Sequence, residues 1–379
     1  MVLDLMTRKV KTDLKRGFST GACVAAAAVG AWLSLKNKAP EDVVKLLFPD
    51  GSRHSFKLFA SYRDQGFGVA VVRKDAGDDP DITDKALFKV KMCETERHPQ
   101  SCDYELYCDK ARIILSGGLG VGLVTRPGLD AEPGKWALNP IPRQMIIDNL
   151  KAAGCGREPR SYRLTIEVPD GERLAQKTLN PLLGVVGGIS VLGTSGYVEP
   201  YSNSAYIKTI KILLSGAQRA GCRDAALCTG GRTAKALGHD FPEMPEFSIV
   251  RIADFIADSL KIAEEVGFER VIVACMAGKL YKYSAGLEYT HAHTVRYSCQ
   301  DLAVIAGNLG VGDDVVSRCR QSASVREAFS YLTPQEVILM QNYLGCKALE
   351  ALQQWLGKVR LELRLYDPQG NFLQSWGDA

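Results

Sequence analysis

The chain has 379 residues, 46% hydrophobic and 24% charged, the composition of a soluble globular protein with room for about two to three cores. Its formal net charge of +4 is too small to imply a nucleic-acid partner and only weakly suits a small polyanionic substrate, while no run of ~18 apolar residues marks a membrane span. Eleven cysteines, an odd count with no secretory leader in Met1 to Arg16, predict reduced thiols and a cytoplasmic protein.

In chain order, a turn at residues 17–21 leads into an alanine-rich stretch, 22–35, of strong helix propensity. Short strands are predicted over 43–48, 54–59 and 67–73, the first two separated by the turn Pro49-Asp50-Gly51. Residues 88–92 and 111–115 continue the pattern. The acidic stretch 75–84 is kept out of a helix by Pro80. Pro140-Ile141-Pro142 precedes a helix over 143–153 that ends at Gly154, and 162–168 closes this half as a strand.

The second half alternates differently. A strand is predicted at 189–192, a helix at 203–220, a strand at 224–228 running into Gly230-Gly231, and a short helix at 232–238. Strand 248–252, helix 253–266 ending at Gly267 and the apolar strand 270–275 follow, the last running into Gly278-Lys279. Strand, glycine turn and helix in repetition predict a Rossmann-like parallel sheet with ligands at the strand C-termini. The expected fold class is an α+β N-terminal domain (residues 1–180) with a Rossmann-like α/β C-terminal domain (181–345). A C-terminal tail (346–379) then carries a late strand at 359–366.

Residues 183–196 read L-G-V-V-G-G-I-S-V-L-G-T-S-G, five glycines in fourteen positions. So much glycine is costly in an ordinary element and is compensated by tight turns or by close approach of backbone N–H groups to a ligand. The loop is therefore expected to wall a cofactor site. Arg16-Gly17-Phe18-Ser19-Thr20-Gly21 opens the first helix, where Ser19 or Thr20 can cap it and free N–H groups can take a carboxylate or phosphate. Ser116 to Gly122 contains G-x-G-x-G after a strand, but Leu123 to Gly128 turns away instead of starting a helix, so a nucleotide fingerprint fails its context. A turn shaping a substrate pocket beside Arg126 is the better reading. Cys93, Cys102 and Cys108 fit no compact zinc pattern, and no resident metal is expected. Thr290-His291-Ala292-His293 places two of five histidines beyond the last predicted strand of the alternation, where α/β sites form.

Taken in order, these segments resemble one family, the cobalt-precorrin-5B C1-methyltransferases of anaerobic cobalamin biosynthesis (the CbiD family). The resemblance rests on Gly17 to Cys23 with its alanine run, Arg73-Lys74-Asp75-Ala76-Gly77-Asp78-Asp79, Gly117 to Gly122 with Val124 to Gly128, and Asn139 to Arg143. It continues through Ala175-Gln176-Lys177-Thr178, Gly187 to Gly196, Gly278-Lys279 and Thr290 to His293. The chain departs from the family pattern at Leu119, where an acidic residue is usual, and at Val295-Arg296, where Ala-Asp is usual. The connection from Cys93 to Cys108 is longer than usual, and the stretch after Asp313 is expected to match poorly.

The resemblance implies methyl transfer from S-adenosyl-L-methionine (SAM) to C-1 of cobalt-precorrin-5B, giving cobalt-precorrin-6A, with cobalt present only as part of the substrate. It points to Gly187, Gly188, Gly193, Thr194, Ser195 and Gly196 for SAM, with Gly230, Gly231 and Gly278 completing the wall. Macrocycle carboxylates call for cations and N–H donors, for which Arg16, Ser19, Thr20, Arg73, Lys74, Arg126, Arg143 and Lys177 are the candidates. His291 and His293 are the candidate bases for a proton lost after methylation. A nicotinamide dehydrogenase lacks its fingerprint here. A non-catalytic corrinoid carrier is the alternative, and the sequence leaves a homo-oligomer open.

Overall fold

The computed structural model describes residues 14–36, 42–200, 202–291 and 298–377. The chain divides into two compact units, Met1–Ser202 and Asn203–Ala379.

The first unit is built on helix α1 (Thr20–Leu35), which is buried around nearly its whole circumference. Its alanines and Gly30 make that possible, because a narrow helix lets neighbours approach on every side. A Cβ on Gly30 would meet Ala70 and Leu58, and one on Gly68 would meet the Ala31 carbonyl. The sheet that receives α1 comprises β2 (Val43–Leu47), β3 (Arg53–Asp64), β4 (Phe67–Arg73), β5 (Leu87–Glu94), β6 (Tyr104–Cys108), β7 (Ala111–Gly117) and β10 (Ser161–Glu167). Their order is β2-β3-β4-β5-β10-β7-β6, antiparallel except for the β10–β7 pair. The β3–β4 turn uses Gln65 and Gly66, both at positive φ, as a two-residue hairpin with right-handed strand twist requires. Helix α2 (Pro140–Ala152) begins with proline in its first turn, where the missing N–H costs nothing, and the short helix α3 (Gly171–Ala175) follows β10.

Short strands knit the glycine-rich loops to this unit. β1 (Gly17–Phe18) pairs with β13 (Tyr197–Val198), β8 (Gly120–Val121) with β12 (Gly188–Ile189), and β9 (Leu123–Val124) with β11 (Val185–Val186). Of the strand expected at 189–192, only Ile189 lies in a strand, at the end of β12, and Val191 makes a single bridge to Leu138. These pairings also explain why the units divide after Ser202 and not near residue 180: Val185–Val186, Gly188–Ile189 and Tyr197–Val198 are paired to strands of the first unit.

The second unit holds β14 (Asp224–Cys228), β15 (Ile249–Arg251), β16 (Arg270–Cys275), β17 (Arg360–Tyr366) and β18 (Phe372–Gly377), in the order β15-β14-β16-β17-β18. The first four are parallel, and β18 returns antiparallel to β17. The expected tail is therefore no appendage, since β17 is hydrogen-bonded along the length of β16. Helix α4 (Asn203–Arg219) precedes β14, α5 (Gly231–Asp240) follows it, α6 (Ile256–Val266) leads to β16, and α7 (Ala277–Ser284) follows that strand. Helix α6 starts later than the 253 predicted because Ala253 sits at φ 49°, outside helical geometry. It ends at Gly267 in the left-handed conformation, the glycine cap its sequence foretells.

Candidate active site

In the second unit the chain passes from β14 to β15 on one side and then to β16 on the other. This reversal opens a crevice at the carboxyl ends of β14 and β16, the position where open α/β sheets take ligands. A cleft of about 430 Å³ lies there, lined by Thr229, Gly230, Gly231, Arg232, Thr233, Met276, Gly278, Lys279 and Lys282. Both α5 and α7 begin in its wall, so two helix ends carrying partial positive charge border it. Thr233 fixes the start of α5 by accepting from the Gly230 N–H (3.1 Å) and donating to the Gly230 carbonyl (2.9 Å).

A partly buried polar cluster supports the lysines. Lys279 Nζ donates to Asp254 Oδ1 and to Thr290 Oγ1 at 2.6 Å, and Lys282 Nζ donates to the Thr290 carbonyl at 2.6 Å. Burial alone raises the Asp254 carboxyl pKa, but the hydrogen bond and charge of Lys279, with Thr290, outweigh it and hold Asp254 below the ordinary carboxylate range. Burial, followed by the neighbouring charge of Lys279, lowers the pKa of Lys282. His291 stacks on Tyr289 with ring centroids 6.0 Å apart, and Tyr289 packs on Phe255. His293 lies outside the described residues.

Gly230, Gly231 and Gly278 thus meet in one cleft, whereas Gly187, Gly188, Gly193, Thr194, Ser195 and Gly196 belong to the first unit. There the close approach that their glycine content foretells is made to the chain itself. A Cβ on Gly188 would fall 2.2 Å from the Gly120 carbonyl carbon, one on Gly193 2.3 Å from Ser19 Oγ, and one on Gly196 2.5 Å from the Phe48 ring. Gly187 is exposed at φ 79° with open space around it, and Thr194 and Ser195 are exposed. The Ser195 hydroxyl accepts from the Tyr197 N–H at 3.3 Å.

The helix start at Ser19 and Thr20 is likewise spent on the fold. Ser19 Oγ caps the Ala22 N–H, the Gly21 N–H donates to the Leu192 carbonyl, and Thr20 Oγ1 meets the Ser190 and Leu192 carbonyls. Lys74, a candidate for substrate carboxylates in the sequence, is also taken up by the fold. Its side chain is fully buried and ion-paired to Asp81 at 2.6 Å, because the turn after β4 folds the 75–84 loop over it.

The remaining cations are more accessible. Arg16 pairs with Glu199 at 3.0 Å, Arg73 lies over the Phe59 ring at 4.5 Å, and Arg126 and Lys177 are exposed. Arg143 stacks 4.0 Å over Tyr104, with its Nε buried and unpartnered among the described residues. Sequence reasoning missed Arg232, Lys282 and Asp254. The string Thr229-Gly230-Gly231-Arg232-Thr233 directly after a buried strand was the available signal for the first of these. The other two depend on side-chain contacts that no spacing reveals.

Comparison with known proteins agrees with the ordered motifs. The CbiD family model matches residues 7–200, and a second, described as the CbiD C-terminal domain, matches 289–377. The stretch after Asp313, expected to match poorly, therefore does match. Among curated relatives, a protein of Dechloromonas aromatica is 36% identical over 365 residues, covering 95% of this chain and 90% of that one. One of Methylococcus capsulatus is 38% identical, covering 97% and 94%, and one of Thermus thermophilus is 36% identical, covering 97% and 96%. All three are named cobalt-precorrin-5B C(1)-methyltransferase. A crystal structure of the cobalamin biosynthesis protein cbiD from Archaeoglobus fulgidus is 29% identical, covering 69% of this chain and 76% of that one, with a TM-score of 0.38. The chain belongs to the CbiD family.

Proposed function

We propose that this protein methylates C-1 of cobalt-precorrin-5B in anaerobic cobalamin biosynthesis, giving cobalt-precorrin-6A, and that SAM is the methyl donor. The observation that carries this reading is near-complete coverage by relatives named for that activity, 97% of the chain in two cases. A non-catalytic carrier is not favoured, because those relatives are named as methyltransferases. The parallel order β15-β14-β16-β17 supports classing the second unit as Rossmann-like α/β, and the antiparallel sheet with α1 supports α+β for the first. No described helix is long and apolar enough to cross a membrane.

SAM supplies an activated methyl group when bound, together with a carboxylate, an ammonium, a ribose and an adenine to be recognised. The residues expected to hold it do not fit as a set. Gly188, Gly193 and Gly196 are occupied by the chain's own backbone and side chains while Gly187 faces open space, and among the described residues the lining of the second-unit cleft contains no acid for an ammonium or ribose hydroxyls. What the chain's residues offer most clearly is carboxylate recognition, through Arg16, Arg73, Arg126, Arg143 and Lys177 in the first unit. Positioning is the main demand of the reaction, since the electron-rich macrocycle is itself the nucleophile. His291 and His293 are the proposed acceptors of a proton shed by the methylated ring.

The test is anaerobic incubation with cobalt-precorrin-5B and methyl-labelled SAM, read by mass spectrometry. One labelled methyl per macrocycle is expected. Macrocycle binding without transfer and without any SAM binding would leave a carrier. Unchanged turnover in His291→Ala would remove that residue from the chemistry.

A further inference from the structure

The charge of the second-unit cleft argues against the donor and for the substrate. Arg232, Lys279 and Lys282 line it, Lys279 already paired with Asp254 just behind the wall, and among the described residues of that lining none is acidic. Asp254, ion-paired to Lys279, fixes where that ammonium sits, and Thr290 ties both lysines to one point. The starts of α5 and α7 add further positive potential. SAM carries a sulfonium and an ammonium against a single carboxylate, a net positive ligand that such a wall repels. A tetrapyrrole fringed with acetate and propionate carboxylates has the opposite sign. At about 430 Å³ the cleft is the size of a small-molecule pocket, too small to enclose a macrocycle and sufficient for one edge of it.

We propose that this cleft binds carboxylate arms of the tetrapyrrole substrate, with Arg232 and the two lysines as the binding groups and Asp254 as the residue that positions Lys279. Gly230, Gly231 and Gly278 then let the carboxylates approach the backbone of two helix starts, and they do not wall the methyl donor. The proposal rests on the methyltransferase reading for the identity of its ligand.

The experiment titrates the full-length protein with cobyrinic acid, a corrin bearing free acetate and propionate groups, and separately with SAM. Arg232 is exposed, so Arg232→Gln, Arg232→Glu and Arg232→Lys are expected to fold, which unchanged melting curves verify. Arg232→Gln should raise the Kd for cobyrinic acid about tenfold, the scale of one lost charge-assisted hydrogen bond. Arg232→Glu should raise it further and Arg232→Lys restore most of it, with the Kd for SAM unchanged throughout. A shift in the SAM Kd alone would assign the cleft to the donor and overturn the proposal. So would unmoved values for both ligands, or failure of the wild type to bind cobyrinic acid. A wild type that still transfers methyl under any of those outcomes would keep the methyltransferase reading while this one falls.

Discussion

Gly188 lies against Gly120 so closely that a Cβ on Gly188 would sit 2.2 Å from both the carbonyl carbon and oxygen of Gly120. The two residues are register partners in the parallel β8–β12 pair, so the two glycine-rich loops of the chain are each other's close neighbour. Their composition answers a packing demand within the first unit. Because the obstacle is backbone on both sides, no rotamer change relieves it. Gly188→Ala should therefore lower stability by roughly 2 kcal/mol, read as a shift of the denaturant midpoint. An unchanged midpoint would mean that β8 and β12 separate at little cost.

Lys74 and Asp81 make a buried ion pair that ties the 75–84 loop to the end of β4. Burial pushes the Asp81 carboxyl up, but the charge and hydrogen bond of Lys74, with those of Thr83, win and leave it below its ordinary value of 3.8. A depressed carboxylate pKa contributes stability above the unfolded-state value and loses it as pH falls through the folded-state value. Asp81→Asn strands the Lys74 ammonium and should cost about 3 kcal/mol near neutral pH. The gap between wild type and variant should close as pH drops below 3.8. A gap that is flat across this range would contradict the pairing.

The thiols divide by burial. Cys23 and Cys228 are buried, and burial pushes both up to about 12, which leaves them protonated and unreactive. Cys346 is exposed. Brief treatment of the native protein with iodoacetamide at mildly alkaline pH should label Cys346 and spare Cys23 and Cys228 until denaturant is added. Peptide mapping checks this, and early labelling of Cys23 would contradict the packing of α1.

Much of this architecture is legible in the sequence where local chemistry decides it. Alanine content and Ser19 announce α1, Pro140 announces the start of α2, and Gly267 announces the end of α6. The strands at 67–73, 224–228 and 270–275 follow from short apolar runs bounded by polar or glycine residues. The site is less legible. Glycine density at 187–196 predicts close approach but cannot name the partner, and that partner is Gly120, Ser19 and Phe48. A lysine within a motif reads as a binding group until its surroundings are known, and Lys74 turns out to neutralise Asp81 inside the first unit. Lys282 and Asp254 are separated in sequence and meet only through Lys279 and Thr290. Long-range contacts of that kind leave no periodic trace.

Methylation at C-1 is tested most simply by the fate of a labelled methyl group when the purified protein is given SAM and cobalt-precorrin-5B without oxygen. One label per macrocycle is expected, attached at C-1, with S-adenosylhomocysteine formed in equal amount. Label at another ring position, or none while both ligands bind, would contradict it.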